Sequence, residues 1–99
     1  MVLKTLAEAV PCLISTTGDM KTQILSLCID SRKVQEGALF FCTPGMKADA
    51  HDYAPQAVKA GAAALVVERI LPLDVPQILV KNVRQALSYM AAEFYGDPA

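Results

Sequence analysis

A predicted helix lies between two short, uninterrupted apolar segments, and this arrangement constrains the fold most. Residues 38–42 and 63–67 contain no polar side chain, which is typical of short strands that are buried on both faces. Between them, residues 53–60 are predicted to be helical, with Asp52 as a candidate N-cap and Gly61 as the residue that follows the helix. A β-α-β step of this kind calls for a right-handed crossover and at least one parallel pair of strands.

Further elements flank this unit on both sides. Residues 3–10 place apolar side chains on one helical face before Pro11, and residues 15–19 are polar and turn-prone, which predicts a loop. Residues 24–29 and 77–80 predict two more strands. The final helix is expected to begin after Asn82, whose spacing to Gln85 resembles a capping box. Its apolar stripe comprises Val83, Ala86, Leu87, Met90, Ala91 and Phe94.

The predicted order is therefore α-β-β-α-β-β-α. It indicates an α/β fold: a small mixed sheet of about four strands with flanking helices, all within one domain spanning residues 1–99.

Composition narrows the range of partners. Nine basic and ten acidic residues give a net charge of −1, which argues against nucleic acid and against an anionic membrane surface. No apolar segment approaches the roughly 18 residues of a membrane helix, and the N-terminal segment does not fit a signal peptide. The three cysteines have no C-x-x-C spacing, so a reduced, cytoplasmic protein is expected, with Cys28 and Cys42 acting as small hydrophobic residues.

Two polar segments follow predicted strands, where ligands bind in open α/β sheets. In Asp30-Ser31-Arg32, the serine hydroxyl suits a uracil edge or a ribose hydroxyl. Arg32 could contact a phosphate or pair with Asp30 or Asp49. In the second segment, Gly45 allows a tight turn that could point the next three backbone amides at an anion, although such a loop is often only a turn.

The sequence gives weak support for catalysis. Asp49, His51 and Asp52 resemble a metal cluster, but such residues before a helix more often form a cap and a salt-bridge group. A small hydrolase using Ser31 or Cys42 with His51 is a remaining alternative, although Ser31 has no glycine elbow. The chain contains no nucleotide-binding glycine motif. We therefore expect no catalytic residue, metal or cofactor within these 99 residues.

From Asp30 onward the residues resemble the N-terminal domains of Mur ligases, over roughly residues 24 to 98. The matching pieces, in order, are D-S-R-x-V-x-x-G-x-L-F from Asp30, G-x-x-x-D-x-H from Gly45, A-x-x-x-G-A from Ala57, Glu68, Val75-Pro76 with Ile78 and Val80, Arg84-x-Ala86-Leu87, Ala91, and Phe94-Tyr95-x-x-Pro98. The chain looks most like the MurE type, which adds the third amino acid to UDP-N-acetylmuramoyl-L-alanyl-D-glutamate. The MurF type, which adds D-alanyl-D-alanine, is the alternative.

The resemblance implies a role in cytoplasmic peptidoglycan synthesis. In such ligases the N-terminal domain holds the UDP part of the substrate, a central domain binds ATP with magnesium, and a C-terminal domain recruits the incoming amino acid. Residues 1–99 would then be a UDP-binding domain that ends before the central domain. The choice between diaminopimelate and lysine would belong to the C-terminal domain.

The resemblance also implies site residues. The UDP-contacting positions would be Ile29, Ser31, Met46, Lys47 and Ala48. Supporting positions would be Asp30, Arg32, Gly45, Asp49 and His51. Ala50 departs from the family's usual glycine, and alanine would cost about 1 kcal/mol if that position required a positive φ. A non-catalytic interaction module is a second interpretation, because the same element order is similar to the N-terminal domain of HPr kinase/phosphorylase.

Overall fold

The fold is organised around one five-stranded mixed sheet. The computed structural model describes residues 1–44 and 49–96. Its strands are β1 (Leu13–Thr17), β2 (Ser26–Cys28), β3 (Ala38–Phe41), β4 (Ala64–Val67) and β5 (Gln77–Val80). Its helices are α1 (Leu3–Glu8), α2 (Ala54–Lys59) and α3 (Val83–Tyr95), with short 3-10 turns at Ser31–Lys33 and Ala50–Tyr53.

Four of the strands are parallel. The strand order is β1-β5-β4-β3-β2, and β2 through β5 run in one direction while β1 is antiparallel to β5. The β3-α2-β4 segment forms the predicted parallel pair, with Phe40 beside Leu65. The predicted class, a small mixed α/β sheet with flanking helices, is confirmed. Because β2 and β3 are parallel, the segments that follow them lie at the same end of the sheet, where the carboxyl ends of the parallel strands are.

The sheet packs between two helical layers. Alternation along β3 sends Leu39 and Phe41 to the face covered by α1 and α3, and Phe40 and Cys42 to the face covered by α2. All four side chains are buried. The continuous apolar segments of the sequence are thereby explained, because both faces of these strands are covered.

The prediction of a loop at residues 15–19 is wrong for residues 15–17. Leu13–Thr17 is an edge strand that pairs with β5, so the sheet has five strands rather than about four. All five of its residues are exposed, and the segment therefore lacks the alternation of apolar and polar residues that marks a half-buried strand. Backbone hydrogen bonds to β5 define it instead.

The helix ends agree with the sequence in one case and differ in another. At α3, Asn82 Oδ1 accepts the Gln85 backbone N–H at 3.0 Å, which confirms the predicted N-cap. Asp52 is not the N-cap of α2: the helix starts at Ala54, and a 3-10 turn capped by Asp49 precedes it. Along residues 1–44 and 49–96, no helix combines the length and the apolar character needed to span a membrane.

Candidate functional site

A surface cleft of about 460 Å³ lies where the chain leaves β2 and β3. The segment 29–32 forms one side, and Thr43, Pro44 and Ala50 form another. Its remaining lining residues are Phe40, Tyr53, Gln56 and Arg84. The two segments singled out from the sequence therefore approach one cleft, to the extent that the structure describes them.

The second segment is described only at its two ends. Gly45, Met46, Lys47 and Ala48 lie outside the described residues. The Ala50 backbone N–H donates to the Thr43 carbonyl at 3.1 Å, so the two ends of the loop meet beside the cleft. Ala50 lies in a 3-10 turn, a right-handed conformation that alanine adopts without strain. The departure from glycine therefore has no backbone cost at this position.

On the first side of the cleft, Arg32 is paired with Asp30. The carboxylate accepts the Arg32 backbone N–H at 2.9 Å, its Nε at 3.2 Å and its Nη2 at 3.1 Å. These bonds lower the pKa of Asp30 and raise the pKa of Arg32. Of the two roles considered for Arg32, the structure shows the ion pair. Ser31, which lies between Asp30 and Arg32 in the chain, is half-buried. The nearby Ile29 is exposed.

His51 is a buried link between the loop and the sheet. Its Nδ1 lies 2.6 Å from Asp49 Oδ1, and its Nε2 accepts the Glu68 backbone N–H at 2.9 Å. Because a backbone N–H can only donate, Nε2 carries no proton, and Nδ1 donates to the carboxylate. The imidazole is therefore the neutral Nδ1–H tautomer, with both nitrogens occupied.

Asp49 is the anionic centre of this network. It also accepts the His51 backbone N–H and Arg69 Nη1, each at 2.9 Å. Its burial alone would raise its pKa, but these hydrogen bonds and that from the His51 ring outweigh burial and hold the pKa well below its ordinary value. The expected role of Asp49 and His51 in a cap and salt-bridge group is confirmed. Asp52 is peripheral, since its carboxylate lies 3.9 Å from Arg69.

Two residues of the site were not predicted from the residue patterns. Glu68 Oε2 accepts the Val83 backbone N–H at 2.9 Å, so the end of β4 caps the start of α3. Arg84 Nη2 donates to the Pro44 carbonyl at 3.0 Å. Both residues were noticed only as matching positions in a family resemblance. Their contacts join elements that are far apart in sequence, and no local pattern encodes them.

The hydrolase alternative fails on geometry. His51 has no ring nitrogen available to accept a proton from Ser31, because Asp49 and Glu68 occupy both. The Cys42 thiol is fully buried, and burial, with a smaller contribution from Asp49, raises its pKa to about 12. Neither side chain is therefore an activated nucleophile. Over the described ranges, no three His, Cys, Asp or Glu side chains come together in a group that could hold a metal ion.

Comparison with known proteins identifies the family. The family described as "Mur ligase family, catalytic domain" matches residues 23–95. The chain belongs to the Mur ligase family.

Relatives of this Mur ligase chain share one name. The proteins from Bacillus cereus and Listeria innocua are each named UDP-N-acetylmuramoyl-L-alanyl-D-glutamate--2,6-diaminopimelate ligase. The first is 51% identical over 76 residues, covering 77% of this chain and 16% of the relative. The second is 38% identical over 100 residues, covering 99% of this chain and 20% of the relative. The chain thus spans about a fifth or less of these relatives. The resemblance to Mur ligase N-terminal domains of the MurE type is confirmed.

Solved structures of Mur ligases share the fold. A crystal structure of MurF from Acinetobacter baumannii matches with a TM-score of 0.80 at 28% identity, over 92% of this chain and 20% of that one. MurF from Thermotoga maritima in complex with ADP matches with a TM-score of 0.64 at 28% identity, over 82% of this chain and 18% of that one.

Proposed function

We propose that this chain binds the uridine diphosphate part of UDP-N-acetylmuramoyl-L-alanyl-D-glutamate, as the N-terminal domain of a MurE-type ligase. The observation that carries the proposal is the cleft between residues 29–32 and the two ends of the 45–48 loop. It lies in a chain that is 51% identical to part of a ligase named for that UDP-sugar. Its volume falls within the range usual for small-molecule sites.

The chemistry of the cleft suits a uridine nucleotide. The Ser31 hydroxyl can donate and accept hydrogen bonds to a base edge or a ribose hydroxyl. The exposed Ile29 side chain offers an apolar surface beside it. Met46, Lys47 and Ala48 are proposed as further contacts, mainly through their backbone amides, although they lie outside the described residues.

In the full ligase this domain is proposed to supply positioning. Family chemistry would activate the glutamate carboxylate with ATP and magnesium in a central domain, and a C-terminal domain would deliver the incoming amino acid, in the cytoplasm. Anchoring the remote UDP end uses binding energy to hold the reacting carboxylate in place. Diaminopimelate is the proposed amino acid, because it appears in the names of the relatives.

A MurF-type ligase is the second candidate, because the solved structures that share the fold are MurF proteins. Sequence identity favours the MurE type: 51% to the Bacillus cereus protein against 28% to the MurF structures. The two candidates differ in the peptide that the substrate carries, whereas the UDP end is common to both.

The test is an amide-resonance titration of this chain with UDP and with UDP-N-acetylmuramoyl-L-alanyl-D-glutamate. We expect shifts at residues 29–32 and 49–50, and none along β1 at the opposite edge of the sheet. Ser31→Ala should weaken binding about three- to tenfold, the range for one neutral hydrogen bond. Ser15→Ala, at an exposed serine on β1, is the matched control. Shifts confined to other residues, or none at millimolar UDP, would contradict the proposal.

A further inference from the structure

Two arginines line the cleft, and their charges are compensated differently. Arg32 forms a three-bond pair with Asp30, as described above. Arg84 lies within 4.0 Å of no carboxylate among residues 1–44 and 49–96. Among the described residues, Arg84 is therefore the cleft arginine that has no carboxylate within salt-bridge distance.

Arg84 also has N–H groups beyond the one that bonds the Pro44 carbonyl. A guanidinium carries five N–H groups in a rigid fork, and one Arg84 nitrogen bonds the Pro44 carbonyl at 3.0 Å. That single bond holds the side chain against the rim of the cleft. The remaining donors match the oxygens of a phosphate, which arginine binds in a bidentate manner.

Two backbone N–H groups in the first turn of α3 already have side-chain acceptors. Glu68 accepts the Val83 N–H, and Asn82 accepts the Gln85 N–H. The helix start is thus capped by a carboxylate and an amide. Among the described residues that line the cleft, Arg84 is thus the cationic side chain that no carboxylate already occupies.

We propose that Arg84 binds the diphosphate of the uridine nucleotide, while the segment around Ser31 binds the uridine part. This inference rests on the proposed function and deepens it, because it divides the cleft into a nucleoside end and an anion end. Arg84 then has two bonds to make at once: one to the Pro44 carbonyl, which fixes its position, and one to the ligand.

The experiment compares two ligands and two charge-neutralising variants of this chain. Dissociation constants for UDP and for uridine are measured by resonance titration on wild type, Arg84→Gln and Lys4→Gln. The Lys4 variant is the matched control, since it removes the same charge from an exposed side chain on α1 that does not line the cleft. We expect Arg84→Gln to weaken UDP binding at least about fivefold and to change uridine binding less than about twofold. Lys4→Gln should change both less than about twofold.

A second readout separates charge from structure. Binding of UDP through an unscreened cation weakens as salt rises, so the dependence of the UDP dissociation constant on sodium chloride should be shallower in Arg84→Gln than in wild type. Arg84→Lys, which keeps the charge, should retain the wild-type dependence. Both variants should melt near wild type, because the side chain is exposed.

The outcomes are distinguishable. Equal loss of UDP and uridine binding in Arg84→Gln, with an unchanged salt dependence, would overturn the inference and leave Arg84 as a residue that only holds Pro44. An equal loss of UDP binding in Lys4→Gln would overturn it as well, because the effect would then follow the net charge and not Arg84. Failure of wild type to bind UDP would instead overturn the proposed function itself.

Discussion

Removing the His51 side chain should destabilise the whole domain. The side chain is 1% exposed, and His51→Ala deletes its bond to the Asp49 carboxylate and leaves the Glu68 backbone N–H without its acceptor. A bond to a charged group contributes about 1.5–3 kcal/mol, and a buried donor left unsatisfied costs about 1–3 kcal/mol. Because water partly replaces the lost bonds, we expect a loss of about 2–5 kcal/mol, which is a large part of the 5–15 kcal/mol typical of a domain.

The assay is urea unfolding followed by circular dichroism, with the free energy of unfolding extrapolated to water. Asp52→Ala is the matched control, because its carboxylate is 75% exposed and lies 3.9 Å from Arg69. That variant should change the free energy by less than about 0.5 kcal/mol. A loss below about 1 kcal/mol in His51→Ala would refute the reasoning, since it would mean that water replaces both bonds without cost.

Three further predictions follow from the same structure. The pKa of Asp49 is lowered in the folded chain. The ionised carboxylate therefore stabilises the fold at pH values above its ordinary pKa of 3.8, and this stabilisation is lost as the pH falls below that value. The difference in melting temperature between wild type and Asp49→Asn should shrink below about pH 4. The Cys42 thiol has its pKa raised to about 12, so it should resist iodoacetamide in the native protein at pH 8, whereas the partly exposed Cys12 should react. Peptide mass spectrometry measures the two rates of alkylation. Equal rates would contradict the prediction. Gly61→Ala should lower the melting temperature more than Gly96→Ala. Both glycines have positive φ, but a Cβ at Gly61 would lie 2.9 Å from Glu36 Cα, whereas one at Gly96 meets no described residue within 4 Å. Equal melting temperatures in the two variants would count against the packing argument.

The sequence predicts the buried part of the fold well. Residues 38–42 and 63–67 are continuously apolar because helices cover both faces of their strands, and this physical cause leaves a direct trace in composition. The exposed strand β1 leaves no such trace, since its residues face solvent and only its backbone is paired. The predicted start of α2 differs from the observed one by a single residue, because a 3-10 turn capped by Asp49 extends to Tyr53 and includes Asp52, the expected N-cap.

Some residues of the site could also be placed from the sequence, and others could not. Asp30-Ser31-Arg32 and the ends of the loop could be placed near one another, because they follow adjacent parallel strands. Glu68 and Arg84 could not be placed, since the contact from Arg84 to Pro44 crosses 40 residues of sequence. Such contacts depend on how α3 packs against the sheet, and that packing is a property of the tertiary structure.

The cleft is assembled from separate stretches of chain: residues 29–32, described residues between Phe40 and Gln56, and Arg84. An unfolded chain holds these stretches apart, so a compound that occupies the cleft recognises the native state alone. Binding of such a compound raises the free energy of unfolding, by about 2.7 kcal/mol when the compound is present at one hundred times its dissociation constant. A rise in melting temperature is thus a label-free screen for molecules that compete for this cleft.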